Sequence, residues 1–185
     1  MTKAQLRIWT VEEYHRMIDA GILTGADTVE LLAGQIVQMA PQKSLHAATL
    51  SRAADSLREQ LGGAIQVRLQ LPVTLLPDSE PEPDIAVVRP DSRYYLAGHP
   101  GPADILLLVE VSDSTLDYDR GQKARIYARS GIGEYWIVDI PGERLIVLRE
   151  ADAAGYRQES VLTLQETVIP LNFPAVSLTV AALFP

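Results

Sequence analysis

Two acids and one lysine stand at positions where apolar residues are expected. Glu110 closes the most apolar run in the chain, Ile105-Leu106-Leu107-Leu108-Val109, and by the two-residue period of a strand it shares a face with Leu106 and Leu108. Asp84 lies between Pro83 and the short apolar run Ile85-Ala86-Val87-Val88, at the mouth of a second buried strand. A carboxylate buried there needs a cation, hydrogen bonds or a raised pKa. Taken singly, Asp84 could equally cap a turn and Glu110 could equally accept backbone hydrogen bonds or a salt bridge. Lys123 changes the balance. Positions 123, 126, 127 and 130 share one helix face with Ile126 and Tyr127, while Arg125 and Arg129 fall on another face that suits solvent. A lysine facing a sheet is rare unless paired, and the two acids are its natural partners. The alternative is an apolar stem along the sheet with its ammonium in water.

Other polar residues read more simply. Glu30 begins a hairpin strand and could face either solvent or a site. His46, near the start of a long helix, reads as structural, Asp119 as the N-cap of its helix, and Asp139 as a residue leading into a Pro-Gly turn. Glu80 and Glu82, in a proline-rich turn, read as solvated, and Trp136 as core.

Several elements must position these groups. Thr10-Val11-Glu12-Glu13 is a capping-box pattern opening a short helix that Gly21 ends. Apolar stretches on either side of Ala33-Gly34 predict a hairpin over 29–39. The spacing of Leu45, Ala48, Leu50, Ala53, Ala54, Leu57 and Leu61 predicts a helix over 44–61, stopped by Gly62-Gly63. Alternation predicts a strand over 65–76, with Val67, Leu69, Leu71 and Val73 on one face. Strands over 85–88 and 105–109 follow, the latter apolar throughout and so covered on both faces. Next come a helix over 119–130, strands over 134–140 and 144–148 across Pro141-Gly142, and a mostly β tail with a helical turn at 179–184.

The chain's 185 residues suit one α/β domain with a sizeable core, 1–185, without repeats or linkers. Absence of cysteine excludes disulfides and thiolate metal sites. The stretch 1–10 lacks the apolar core of a signal peptide, and no apolar run approaches the ~20 residues that span a bilayer, so a cytoplasmic protein is expected. The net charge of −8 argues against a general, tight DNA binder, which would carry a basic stripe. Only Lys43, Arg52, Arg58, Arg120, Arg125 and Arg129 could supply such a footprint, provided that they face one way.

An acid before one strand, an acid late in the next and a nearby lysine resemble the PD-(D/E)xK nuclease arrangement. Pro83-Asp84 matches its first element and Glu110-Val111-Ser112 its second, with Ser112 where the lysine should stand and Lys123 placed to supply it from the following helix. More closely, the chain resembles the Uma-two family of restriction-endonuclease-type proteins. The resemblance is carried by Val29-Glu30-Leu31-Leu32-Ala33-Gly34, His46, 82–88, 108–112, Ser114-Thr115, 118–127 and 131–139. Where that family commonly has an acid in the first hairpin turn, this chain has Ala33. The resemblance implies a restriction-endonuclease-like core, a mixed central sheet flanked by helices. It also implies a metal-dependent site of Asp84, Glu110, Lys123 and Glu30, with Asp84, Glu110 and the Val111 carbonyl as ligands of Mg²⁺ or Mn²⁺.

Cleavage of DNA phosphodiesters is the function so implied, with a homodimer expected and no membrane partner. Two alternatives stay open. One is a module that binds nucleic acid or protein without cutting and keeps the acid–lysine cluster as a structural network. The other is an enzyme for a smaller phosphoester, which suits the acidic charge.

Overall fold

In the computed structural model residues 5–185 are described; the start of the 1–10 stretch, residues 1–4, lies outside the described residues. Helix α1 (Val11–Asp19) opens with the expected capping box: the Thr10 hydroxyl accepts from the Glu13 amide at 3.2 Å and the Glu13 carboxylate from the Thr10 amide at 3.1 Å. Strands β1 (Val29–Leu32) and β2 (Gln35–Gln38) turn through Ala33 and Gly34 at φ 49° and 73°. That left-handed pair suits a two-residue hairpin turn, and a Cβ on Gly34 would strike Ile8. The hairpin is tied to the proline-rich turn by two backbone bonds between Leu31 and Glu80 (3.3 and 2.7 Å).

Helix α2 (Ser44–Leu61) leads to the central sheet, formed by β3 (Gln66–Leu69), β4 (Ile85–Val88), β5 (Ile105–Ser112), β6 (Glu134–Asp139), β7 (Arg144–Ala151) and β8 (Tyr156–Thr163). These six strands lie in sequence order, and only β5 and β6 pair in parallel. A parallel neighbour requires a crossover, supplied here by one helical stretch, α3 (Leu116–Tyr118), a π-helical turn (Asp119–Lys123) and α4 (Ala124–Arg129). A small pair, β9 (Thr167–Val168) and β10 (Leu178–Thr179), and a 3₁₀ turn (Val180–Leu183) complete the tail.

Apolar layers cover both faces of the sheet. On one, Leu50, Ala53, Ala54 and Leu57 of α2 meet Val87, Leu107, Val109 and Trp136. On the other, Ala124, Ile126 and Tyr127 meet Leu108, Tyr135, Ile137 and Ile146. The mixed α/β architecture is the one anticipated, and Trp136 is fully buried. Among the described residues, no helix is long and apolar enough to cross a membrane.

Two elements depart from expectation. The strand predicted over 65–76 stops at Leu69, because Gln70 takes φ 49°; Leu71, expected inward, is exposed and Val73 buried. The crossover helix starts earlier than 119. Asp119 is therefore no N-cap: it lies inside the π turn, buried, with its carboxylate accepting from the Ser112 and Thr115 hydroxyls at 2.6 Å each. The π turn, where the Ala124 amide donates to the Asp119 carbonyl, widens the helix and sets the azimuth of Lys123.

Candidate active site

Alternation along β5 puts Glu110 on the face covered by α4, with Leu108. Antiparallel pairing of Ile85 with Val109 then brings Asp84 beside Glu110, and the Asp84 amide points at Glu110 Oε2 (3.4 Å). The helix returns over the same spot. Lys123 Nζ lies 3.0 Å from Glu110 Oε1 and 3.4 Å from Glu30 Oε1. One helical turn on, the Tyr127 hydroxyl donates to Glu110 Oε1 at 2.7 Å. Glu30, Asp84, Glu110 and Lys123 all have residue exposures of 8% or less. The four predicted residues are thus brought together, and Lys123 is paired and not solvated.

Asp84 is held from a different direction. Its Oδ2 accepts from the Val111 amide at 2.9 Å and meets His46 Nε2 at 3.1 Å; its Oδ1 accepts from Gln70 Nε2 at 3.1 Å. The left-handed Gln70 that ends β3 is therefore the residue that reaches Asp84. His46 belongs to the cluster, and its Nδ1 is buried without a hydrogen-bond partner among the described residues. The Tyr118 hydroxyl is buried and likewise unpartnered among the described residues.

The charges shape one another. Burial pushes the Glu110 carboxyl up, to about 8, with Lys123 pulling the other way. Burial alone would lower the Lys123 ammonium, but Glu110 and then Glu30 outweigh it and raise its pKa. For Asp84, burial is opposed by the His46 hydrogen bond and charge, then by the Val111 amide and Gln70, leaving the carboxylate below its ordinary value. Reciprocally, the Asp84 hydrogen bond raises His46 against the opposing effect of burial. Within the cluster Lys123 is thus held as a cation and Asp84 as a carboxylate, while Glu110 keeps its proton well above the ordinary carboxylate range.

Glu110 and Asp84 offer the hard oxygens that Mg²⁺ prefers, and among the described residues Glu110 Oε2 has only the long Asp84 amide contact. Among the described residues, no group of three or more His, Cys, Asp or Glu is spaced to enclose a metal ion. Such a donor set suits a cation that retains waters and takes one or two carboxylates, rather than an all-protein cage.

Some expectations are corrected. Glu80 is buried, meeting His15 Nε2 and the Thr74 hydroxyl at 2.7 Å each, and Glu82 is half-buried. The reason is the tie between Leu31 and Glu80, which folds the proline-rich turn against the hairpin. Four of the six possible DNA-footprint residues already pair with acids: Lys43 with Asp113, Arg58 with Asp55, Arg120 with Glu159 and Arg129 with Asp78. Sequence reading missed three members of the site: His46, Gln70 and the Tyr127 hydroxyl. Tyr127 alone carried a local signal, its position one turn beyond Lys123 on the same face.

Residues 11–181 match the model of the Uma2 family, described as "Putative restriction endonuclease". No curated protein matches the chain. Among solved structures, the fold is similar to that of "a putative nuclease belonging to DUF820 from Anabaena variabilis ATCC 29413", with a TM-score of 0.71, 16% identity, and coverage of 95% of this chain and 97% of that one. At that identity the likeness is one of fold. The family match, spanning nearly the whole chain, is what assigns it: the protein belongs to the Uma2 family.

Proposed function

We propose that the protein is a metal-dependent endonuclease that hydrolyses DNA phosphodiester bonds at the Glu30–Asp84–Glu110–Lys123 cluster. The observation that carries this reading is the convergence of three carboxylates and one lysine, all buried, from separate elements of a nuclease-family fold. Burying such a group is costly unless it is paired, and perturbed carboxyls concentrate at functional sites.

Asp84 and Glu110, with the Val111 carbonyl, would hold Mg²⁺ or Mn²⁺, which supplies Lewis-acid charge and a water of lowered pKa. Lys123 remains charged and neutralises negative charge developing on the phosphate or orients the attacking water. Glu30 and Glu110 fix its Nζ from two sides. His46, Gln70 and the Val111 amide hold Asp84 in one orientation, and Tyr127 does the same for Glu110. Each chain carries one such cluster, so a homodimer would offer one site to each strand of a duplex, and light scattering on the purified protein would count the copies.

The test is plasmid DNA incubated with Mg²⁺ or Mn²⁺ and wild-type, Asp84→Ala or Lys123→Ala protein. Wild type should nick and linearise the plasmid while both variants should not; equal activity in all three refutes the assignment.

One observation favours a second reading, a binding module that does not cut. Each acid of the cluster already has a partner within the chain, so the network can be read as closed. Calorimetric titration with Mn²⁺ separates the two. A closed network binds no metal, whereas the nuclease site binds it and loses cleavage but not affinity in Lys123→Ala.

A further inference from the structure

A cleft of ≈ 320 Å³ opens next to the acid–lysine cluster, lined by Tyr14 and His15 of α1, by Pro72, Glu80 and Glu82, and by His99. It adjoins the cluster through Glu82, whose amide donates to Glu30 Oε2 at 3.1 Å. The lining is ordered by contacts that the cluster does not use. Glu80, 4% exposed, is clamped between the Thr74 hydroxyl and His15 Nε2. The clamp fixes the His15 ring beside that of Tyr14, whose hydroxyl is tied to the Val29 carbonyl; the two centroids are 6.3 Å apart. One wall therefore carries two aromatic rings, tilted 41° to each other.

On its polar side the cleft carries three carboxyl groups, Asp19, Glu80 and Glu82, with the rings of His15 and His99 beside them. Glu82 is half-buried, and its carboxylate takes no hydrogen-bond partner among the described residues. Burial, and then the neighbouring Glu30, hold its pKa above the ordinary range. With Glu80 and Asp19 also in the lining, the cleft repels phosphate and favours an edge rich in N–H groups. Its volume lies at the small end of ligand pockets, about 300–1,000 Å³.

We propose that this cleft receives an unpaired nucleobase bearing an exocyclic amino group, from the strand whose phosphodiester lies at the acid–lysine cluster. The proposal rests on the nuclease reading for that strand's position. Glu82 accepts from the amino group, as carboxylates do from cytosine N4. The ring packs on the wall of Tyr14, His15 and Pro72, a contact open to any base. Selectivity then comes from Glu82: thymine presents carbonyl oxygens where cytosine and adenine present an amine, and two acceptors repel. Extrusion is least expensive from a single strand.

The test uses the full chain in Ca²⁺ with fluorescein-labelled abasic oligonucleotides carrying one cytosine, one thymine or no base. Cytosine should bind about tenfold more tightly than thymine or the abasic strand, a typical discrimination for a specific base contact. Glu82→Gln, whose carboxamide both donates and accepts, should erase the preference for cytosine over thymine. His99→Ala, at the exposed rim, should weaken the cytosine strand and leave the abasic one unchanged. Equal affinity for the three strands overturns the proposal; if plasmid cleavage still requires Asp84, the nuclease reading survives that result. Free cytidine monophosphate binding where no oligonucleotide binds, with no cleavage, overturns both and marks a small-molecule pocket.

Discussion

Replacing Lys123 with methionine removes the cation that faces both Glu110 and Glu30 and keeps most of the side chain's apolar volume. In the wild type Nζ sits 3.0 and 3.4 Å from the two carboxylates, and all three groups are nearly inaccessible to water. Breaking a buried pair by deleting one partner costs about 3–5 kcal/mol, because the charge left behind has no compensation. For a chain of this size each kcal/mol shifts Tm by about 2–4 °C, so the expected loss is about 6–20 °C. The loss must also depend on pH. Without Lys123 the Glu110 carboxyl, already at about 8, moves further up and protonates readily. At pH 6 it is therefore neutral, and the penalty lies at the lower end of the range; at pH 9 the Glu110 carboxyl presses for charge without its cation, and it lies at the upper end. Urea unfolding followed by the fluorescence of buried Trp136, at both pH values, measures this directly. A loss below about 1 kcal/mol at both pH values, the size of an exposed ion pair, would show that water and not the carboxylates holds the ammonium.

Two other outcomes follow from the same electrostatics. Since the Asp84 hydrogen bond raises His46 against burial, Asp84→Asn should move the His46 titration downward; nitrogen-detected NMR of the imidazole reads it, and an unmoved titration refutes the contact. Glu110 has a folded-state pKa of about 8 against an ordinary 4.5, so the folded state holds the proton more tightly and stability falls as pH rises from about 4.5 through 8. Glu110→Gln cannot titrate and should flatten that part of the stability profile; an unchanged slope would mean that another group is responsible.

Much of the architecture could be read without coordinates because it rests on local patterns. The capping box at Thr10, the Ala33-Gly34 turn, the apolar face of 44–61 and the continuous apolar run before Glu110 all express physics acting within a few residues. Alternation along that run also placed Glu110 on the covered face, and the helical period put Lys123 and Tyr127 together. For Asp84, Glu110 and Lys123 the sequence therefore carried the identity of the cluster and two of its carriers' orientations.

What tertiary structure decided is every relation that depends on strands meeting across distance. That Glu30 turns inward follows from the bridge between Leu31 and Glu80, which no local period encodes. The same bridge buries Glu80, whose proline-rich surroundings read as solvated. Gln70 looked like one more residue of an alternating strand; its left-handed backbone and its bond to Asp84 are visible only once β3 and β4 are paired. His46, a lone histidine on a helix, acquires a role only because α2 packs on the sheet face beside Asp84. Asp119 illustrates the limit most clearly. Its type and position satisfied the rule for an N-cap, yet Ser112 from the neighbouring strand and Thr115 claim its carboxylate and draw it inside a π turn. Local physics set the elements and the inward faces of Glu110 and Lys123; the pairing of the elements buried Glu30 and Glu80 and chose which charges would face one another.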